Sequence, residues 1–212
     1  MTGTALLSLV QWLSPAFPTG GYAFSHGLEW AVSVGDVRTA AQLQGWISAV
    51  LAEGSGRTDA ILLAQALRPG ADLAALAALA EALAASRERL AESLDQGRAL
   101  ALTVAALTGG DLVPMPYPVA LGAAARPCGL PVRQVVALYL HAFTSNLVQA
   151  GVRFVPLGQT EGQAVLAALH PLIDRLAAEA ADAELDRIGS GAFRSDLAAM
   201  RHETMDVRIF RT

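Results

Sequence analysis

Apolar residues return at three- and four-residue intervals along almost the whole chain, and the two-residue alternation of a half-buried strand is hardly found. That period admits helices and little else. The apolar side chains are mostly Ala and Leu, both strong helix formers, and aromatic residues make up only 6% of the chain. Pro and Gly clusters cut the pattern into segments at Pro15–Gly21, Gly54–Gly56, Pro69–Gly70, Gly109–Pro116 and Gly189–Gly191. The expectation is an all-α, single-domain helical bundle of about ten helices over residues 1–200, with a flexible tail over 201–212. If the chain divides at all, it does so at the Gly/Pro loop of 108–117.

Individual helices follow from caps and spacing. Thr39 with Gln42 and Thr160 with Gln163 resemble capping boxes. Asp72 caps a helix that holds the run Leu-Ala-Ala-Leu-Ala-Ala-Leu-Ala and reaches about Ala85, and Ser86 to Leu107 continues as helix, with Leu90, Leu94, Ala101 and Val104 inward. Gly97 inside that helix predicts a close approach by a neighbour. The spacing predicts one helix from Tyr22 to Val34, with Phe24, Leu28 and Ala31 on one face. Ser25, His26 and Glu29 are the polar exceptions on it. Pro131 opens a helix to about Ala150, and residues 151–158 read as irregular.

Composition excludes several function classes. The chain has no lysine, so all 15 of its cations are arginine. A P-loop and Schiff-base chemistry both need lysine. The net charge of −4 argues against a non-specific nucleic-acid binder. The most apolar run, Leu73–Ala85, is broken by Glu81 and falls short of the roughly 20 residues of a membrane span. A single cysteine, Cys128, rules out a disulfide framework, and with no secretory leader pattern a reducing cytoplasm is expected. No cofactor and no membrane or nucleic-acid partner is expected.

Catalytic patterns are equally sparse. The histidines are His26, His141, His170 and His202, and none forms an i, i+4 pair with another. No metal site is expected from that spacing. Ser25-His26 lies in no Gly-x-Ser-x-Gly elbow. The Gly158–Gln163 stretch lacks the lysine of a phosphate loop. Arg87, Glu88, Arg89 and Glu92 read as a solvated face. Arg201, Arg208 and Arg211 with Phe210 read as a docking tail, since arginine and aromatic residues dominate interface hot spots.

Taken in order, five blocks resemble the UreF family of urease accessory proteins. They are Ser14-Pro-Ala-Phe-Pro-Thr-Gly-Gly-Tyr-Ala-Phe-Ser-His-Gly-Leu-Glu-Trp30, Tyr117-Pro-Val-Ala-Leu-Gly122, Val152-Arg-Phe-Val-Pro-Leu-Gly-Gln-Thr-Glu-Gly-Gln163, Met200-Arg-His-Glu203 and Arg208-Ile-Phe-Arg-Thr212. Ile209, Thr212 and Met205-Asp-Val207 depart from the pattern the tail resembles. The resemblance implies an all-α, non-catalytic homodimer that bridges UreD (also UreH) and the nickel-carrying GTPase UreG on apo-urease. In that role it modulates GTP-dependent nickel insertion. Carried over by position, the implied partner-binding residues are Tyr22, Ser25, His26, Glu29, Gln159, Gln163, Arg201, His202, Glu203, Arg208, Phe210 and Arg211. Tyr22 and Glu29 are expected to hold the tail. The alternative is a helical small-molecule binder or enzyme using a Tyr22/His26/Glu29 pocket.

Overall fold

The computed structural model describes residues 2–211; Met1 and Thr212, the outer ends of the expected domain and tail, lie outside them. Ten α-helices and no strand occur among the described residues. They are α1 (Thr2–Trp12), α2 (Leu28–Ser33), α3 (Ala40–Glu53), α4 (Ser55–Leu67), α5 (Leu73–Ala82), α6 (Arg87–Thr108), α7 (Tyr117–Ala125), α8 (Val132–Phe154), α9 (Gln159–Asp182) and α10 (Phe193–His202).

The centre is α4. From Asp59 to Leu67 every residue is buried, so the helix is enclosed on all sides rather than along one stripe. Helices α3, α5, α7, α8 and α9 pack around it. The α8–α9 pair forms a long antiparallel hairpin joined by a short turn. One continuous core runs through Leu43, Ile47, Ile61, Leu63, Leu100, Leu121, Leu140, Leu147 and Leu169. Among the described residues only α8 is long and apolar enough to cross a membrane, and half of its most apolar stretch is buried within this core.

Caps set several boundaries as the sequence implies. Thr39 Oγ1 accepts from the Gln42 N–H and Asp72 Oδ1 accepts from the Ala75 N–H. The return arm at the start of α3 reaches Arg38, whose N–H donates to Gln42 Oε1 at 2.9 Å. Gly97 meets its expected neighbour: a methyl group there would collide with the Met115 carbonyl.

Five expectations give way. The helix expected from Tyr22 to Val34 is broken. A single 3-10 turn at Gly21–Ala23 is followed by an extended Phe24, and then His26 and Gly27 take left-handed backbone angles, φ 51° and 73°. Helix α2 begins only after them. The left-handed Gly27 also sits against the Ala198–Ala199 backbone of α10, where a side chain would not fit. The continuous helix expected across residue 85 is interrupted, because Ser86 caps α6 through the Arg89 N–H. Leu94 is exposed, and the buried face of α6 is Glu92, Ser93, Gln96, Gly97, Leu100, Ala101 and Val104. Helix α8 runs through Gly151 to Phe154, since Gly151 lies against Leu43 and is used for packing rather than for a turn. Helix α9 starts ahead of Thr160, with Glu161 Oε2 accepting from the Gly158 N–H at 3.0 Å.

The Gly97 contact is rigid on both sides, because the atom it meets is backbone. Gly97→Ala is expected to destabilise the fold by about 2 kcal/mol or more, through overpacking. A fall in melting temperature of roughly 5 °C, followed by circular dichroism, is the corresponding readout.

Candidate functional site

The polar residues singled out from sequence converge on α6, whose first turns carry Glu88, Arg89, Glu92 and Gln96. Arg87, Glu88, Arg89 and Glu92 were expected to be solvated, but only Arg87 points clearly outward. The Arg89 side chain is 13% exposed and that of Glu92 5%. The reason is the spacing of their partners. Glu88 and Glu92 form a like-charge pair one turn apart, and each is matched to a different histidine from elsewhere in the chain.

The inner cluster gathers around Arg89. Its guanidinium pairs with Asp59 of α4 and lies 3.2 Å from Glu92 Oε2. The Tyr139 hydroxyl donates to Asp59 Oδ2 at 2.7 Å. His26 Nε2 lies 3.2 Å from Glu92 Oε1 and Nδ1 3.2 Å from Ser55 Oγ, while its ring meets Phe143 edge-on. Gln96 Nε2 donates to the same Glu92 oxygen at 2.8 Å. Burial alone would push the Glu92 carboxyl up, but His26, Arg89 and these hydrogen bonds outweigh it and hold it below its ordinary value. Burial also opposes the charge on Arg89, yet Asp59 and Glu92 raise it further. Burial and the Asp59 charge both push Tyr139 and Tyr117 up, so each phenol stays neutral.

The outer cluster ties down the tail. His202, wholly buried, stands between two carboxylates: Nε2 is 3.0 Å from Glu29 Oε2 and Nδ1 is 2.8 Å from Glu88 Oε2. Carboxylates only accept, so the ring satisfies both when each nitrogen carries a proton. Glu29 also accepts the Ile209 and Phe210 N–H groups at 2.8 and 2.9 Å. Arg208 reaches Glu88 Oε1 at 2.6 Å. Glu203 Oε1 accepts the Arg87 and Glu88 N–H groups, which places a carboxylate on the N-terminus of α6. The Phe210 ring is 4% exposed, packed on Phe154 with the Arg153 guanidinium 5.5 Å from its centre. The Arg211 N–H donates to the Ala23 carbonyl at 2.7 Å. The segment expected to be a mobile tail therefore lies against the body from residue 201 to 211, because backbone donors and arginines find buried carboxylates there.

Of the residues singled out, Ser25, His26, Glu29, His202, Glu203, Arg208 and Phe210 belong to this assembly. Ser25 is buried, and its Oγ accepts the Glu29 N–H and so orients the first turn of α2. Tyr22 is 60% exposed, and Glu29 holds the tail through other groups. Arg201 and Arg211 face outward, the latter 3.6 Å from Asp95. Gln159 and Gln163 are exposed on the first turn of α9. The residues just ahead of them, Arg153 and Phe154, touch Phe210, so the α8–α9 turn lies at the tail's end of the molecule. Asp59, Glu88, Arg89, Glu92 and Tyr139 were missed as members of the site. The available signal was the like-charge spacing of Glu88 and Glu92, which on a solvated face would be unfavourable.

The expected Tyr22/His26/Glu29 pocket does not form as one chamber. Tyr22 and His26 border a cavity of about 40 Å³, and a second of about 50 Å³ lies across His26 and Arg89 from it. Each has room for a few water molecules but not for an organic ligand. Among the described residues no group of three or more His, Cys, Asp or Glu side chains is placed to hold a metal ion.

Two outcomes follow from the clusters. His202→Ala leaves Glu29 and Glu88 facing each other without the imidazole between them, and is expected to destabilise the protein by about 3 kcal/mol or more. Hydrogen exchange should report lost protection at Ile209 and Phe210 while α4 keeps its own. For Glu92 the folded state holds the carboxyl below the ordinary 4.5, so the unfolded chain takes up the proton first as pH falls. Its stabilisation is complete above that value and is lost as pH drops through the folded one. Urea unfolding of the wild type should weaken across that acid range, and Glu92→Gln should flatten the dependence.

Comparison with known proteins places the chain. The family model described as UreF matches residues 37–170. A urease accessory protein UreF from Cereibacter sphaeroides (strain KD131 / KCTC 12085) is 71% identical over 208 residues, covering 98% of this chain and 99% of its own length. UreF proteins of Dinoroseobacter shibae and Paracoccus denitrificans are 54% and 50% identical, each over 98% of this chain and covering 99% and 96% of their own lengths. The matched region runs from α3 into the first half of α9, and the relatives extend the match over the His26 segment and the tail, so the chain belongs to the UreF family of urease accessory proteins.

Proposed function

We propose that this chain acts as a non-catalytic homodimeric scaffold in the cytoplasm. It bridges UreD/UreH and the GTPase UreG on apo-urease and modulates GTP-dependent nickel insertion. The observation that carries the reading is the construction of the tail. Its backbone is held by Glu29 and its His202 and Arg208 side chains by Glu29 and Glu88, while Arg201, Val207, Ile209 and Arg211 are turned to solvent. Val207 is 77% exposed and Ile209 73%. Two apolar side chains flanked by arginines on an anchored segment make a preorganised docking surface, with little ordering left to oppose binding. The charged groups of the inner cluster are engaged with one another, Glu92 with His26 and Arg89 and Asp59 with Arg89 and Tyr139, which suits a structural role.

The test is light scattering on mixtures with the UreD and UreG counterparts. Deleting the tail is unsuitable, because it removes the buried His202 and Phe210. Val207→Asp with Ile209→Asp alters only exposed side chains and should weaken the complex at least about tenfold, with helicity unchanged. Arg208→Ala with Arg211→Ala should weaken it too, by loosening the segment. Wild-type affinity in both double variants would overturn the tail as the docking element. The mass of the free protein tests the dimer in the same run.

A further inference from the structure

His141 and His170 are far apart in sequence but face each other across the α8–α9 hairpin. Their ring centres are 5.5 Å apart and the ring planes are inclined by 41°. Both residues are exposed, whereas His26 and His202 are buried against carboxylates. An ion about 2.0–2.1 Å from one nitrogen of each ring would lie about 3.2 Å from each ring centre. Rings 5.5 Å apart then subtend an angle of about 120° at the ion, within a small ring rotation of the tetrahedral value.

Partial burial and the facing His170 hold His141 below the ordinary imidazole value, which favours the neutral, ligating form at neutral pH. The nearest helical carboxylate, Asp174, sits one turn beyond His170 and is gripped by Arg133 at 2.7 and 2.9 Å. Two imidazoles without thiolate or free carboxylate suit Cu²⁺, Ni²⁺ and Zn²⁺ and disfavour Mg²⁺ and Ca²⁺.

We propose that His141 and His170 form a surface site for one borderline divalent transition ion, held between α8 and α9 with water completing its coordination. The pair belongs to two rigid helices of the tightest-packed hairpin in the fold, so its geometry is set before the ion arrives. The site is separate from the tail assembly and stands or falls independently of the scaffold role.

The experiment is calorimetric titration of the full-length, tag-free protein with NiCl₂ and with ZnCl₂ near neutral pH. Proton NMR of the histidine Cε1–H signals follows the same additions. The expected result is one ion per chain, with the signals of His141 and His170 broadened by Ni²⁺ ahead of the other two. His141→Ala and His170→Ala should each weaken binding at least about tenfold, and both should fold, since these side chains are exposed. Cys128→Ser should bind as the wild type, and excess MgCl₂ should not compete. Wild-type affinity in either histidine variant, loss of binding in Cys128→Ser, or no binding by the wild type would overturn the assignment.

Discussion

A single imidazole lying between two carboxylates joins three distant parts of this chain. Glu29 comes from the first motif, Glu88 from the middle of the chain and His202 from the end of the last helix. The ring is wholly enclosed and both carboxylates are largely shielded, so they rely on the groups they meet: the ring itself for both, the Ile209 and Phe210 N–H groups for Glu29 and the Arg208 guanidinium for Glu88. The position of α2, the start of α6 and the path of the tail are thereby coupled. Moving any one of them would leave buried charge without a partner, which is far more unfavourable than the loss of an exposed ion pair.

Helix α6 turns that local constraint into a longer one. Its first turns place Glu88 against the tail and Glu92 against His26, a single helical turn apart. Between them Arg89 reaches into the centre of the bundle and pairs with Asp59 of α4, which Tyr139 of α8 also binds. The outer cluster that holds the tail and the inner cluster that belongs to the core therefore share one rigid rod. Gly97, farther along the same helix, presses against the backbone at Met115 and keeps that rod from shifting lengthwise. The absence of lysine suits this arrangement, because a planar guanidinium can serve Asp59 and Glu92 at once where a point-charge ammonium would not.

Much of this was legible in the sequence, and the parts that were not have a common cause. Helical period, caps at Thr39 and Asp72 and the proline-marked start of α8 are local features, and they appear where spacing places them. The breaks at His26 and at residues 83–86 did not show, because a left-handed residue and a serine cap change the chain's direction without changing its apolar period. Glu88, Arg89 and Glu92 were misread for the opposite reason. Apart from the like-charge spacing of Glu88 and Glu92 they read as a solvated helix face, and it is contacts more than a hundred residues away that draw Glu88 inward. The same distance hid the packed tail, which has no periodicity of its own and is held by backbone donors that composition cannot display. Glu29 was expected to hold the tail and does so; Tyr22, read as its companion, stands in solvent.

The glutamate that receives Ile209 and Phe210 also sets the terms for any competitor. Because the tail is tethered to the body, Glu29 meets it at an effective concentration on the order of millimolar, whatever the dilution of the protein. A foreign segment seeking the same carboxylate must outcompete a ligand that never diffuses away. A partner that instead binds the outward side chains of the anchored strand meets no such rival. The geometry thus favours recognition on top of the closed tail over recognition by displacing it.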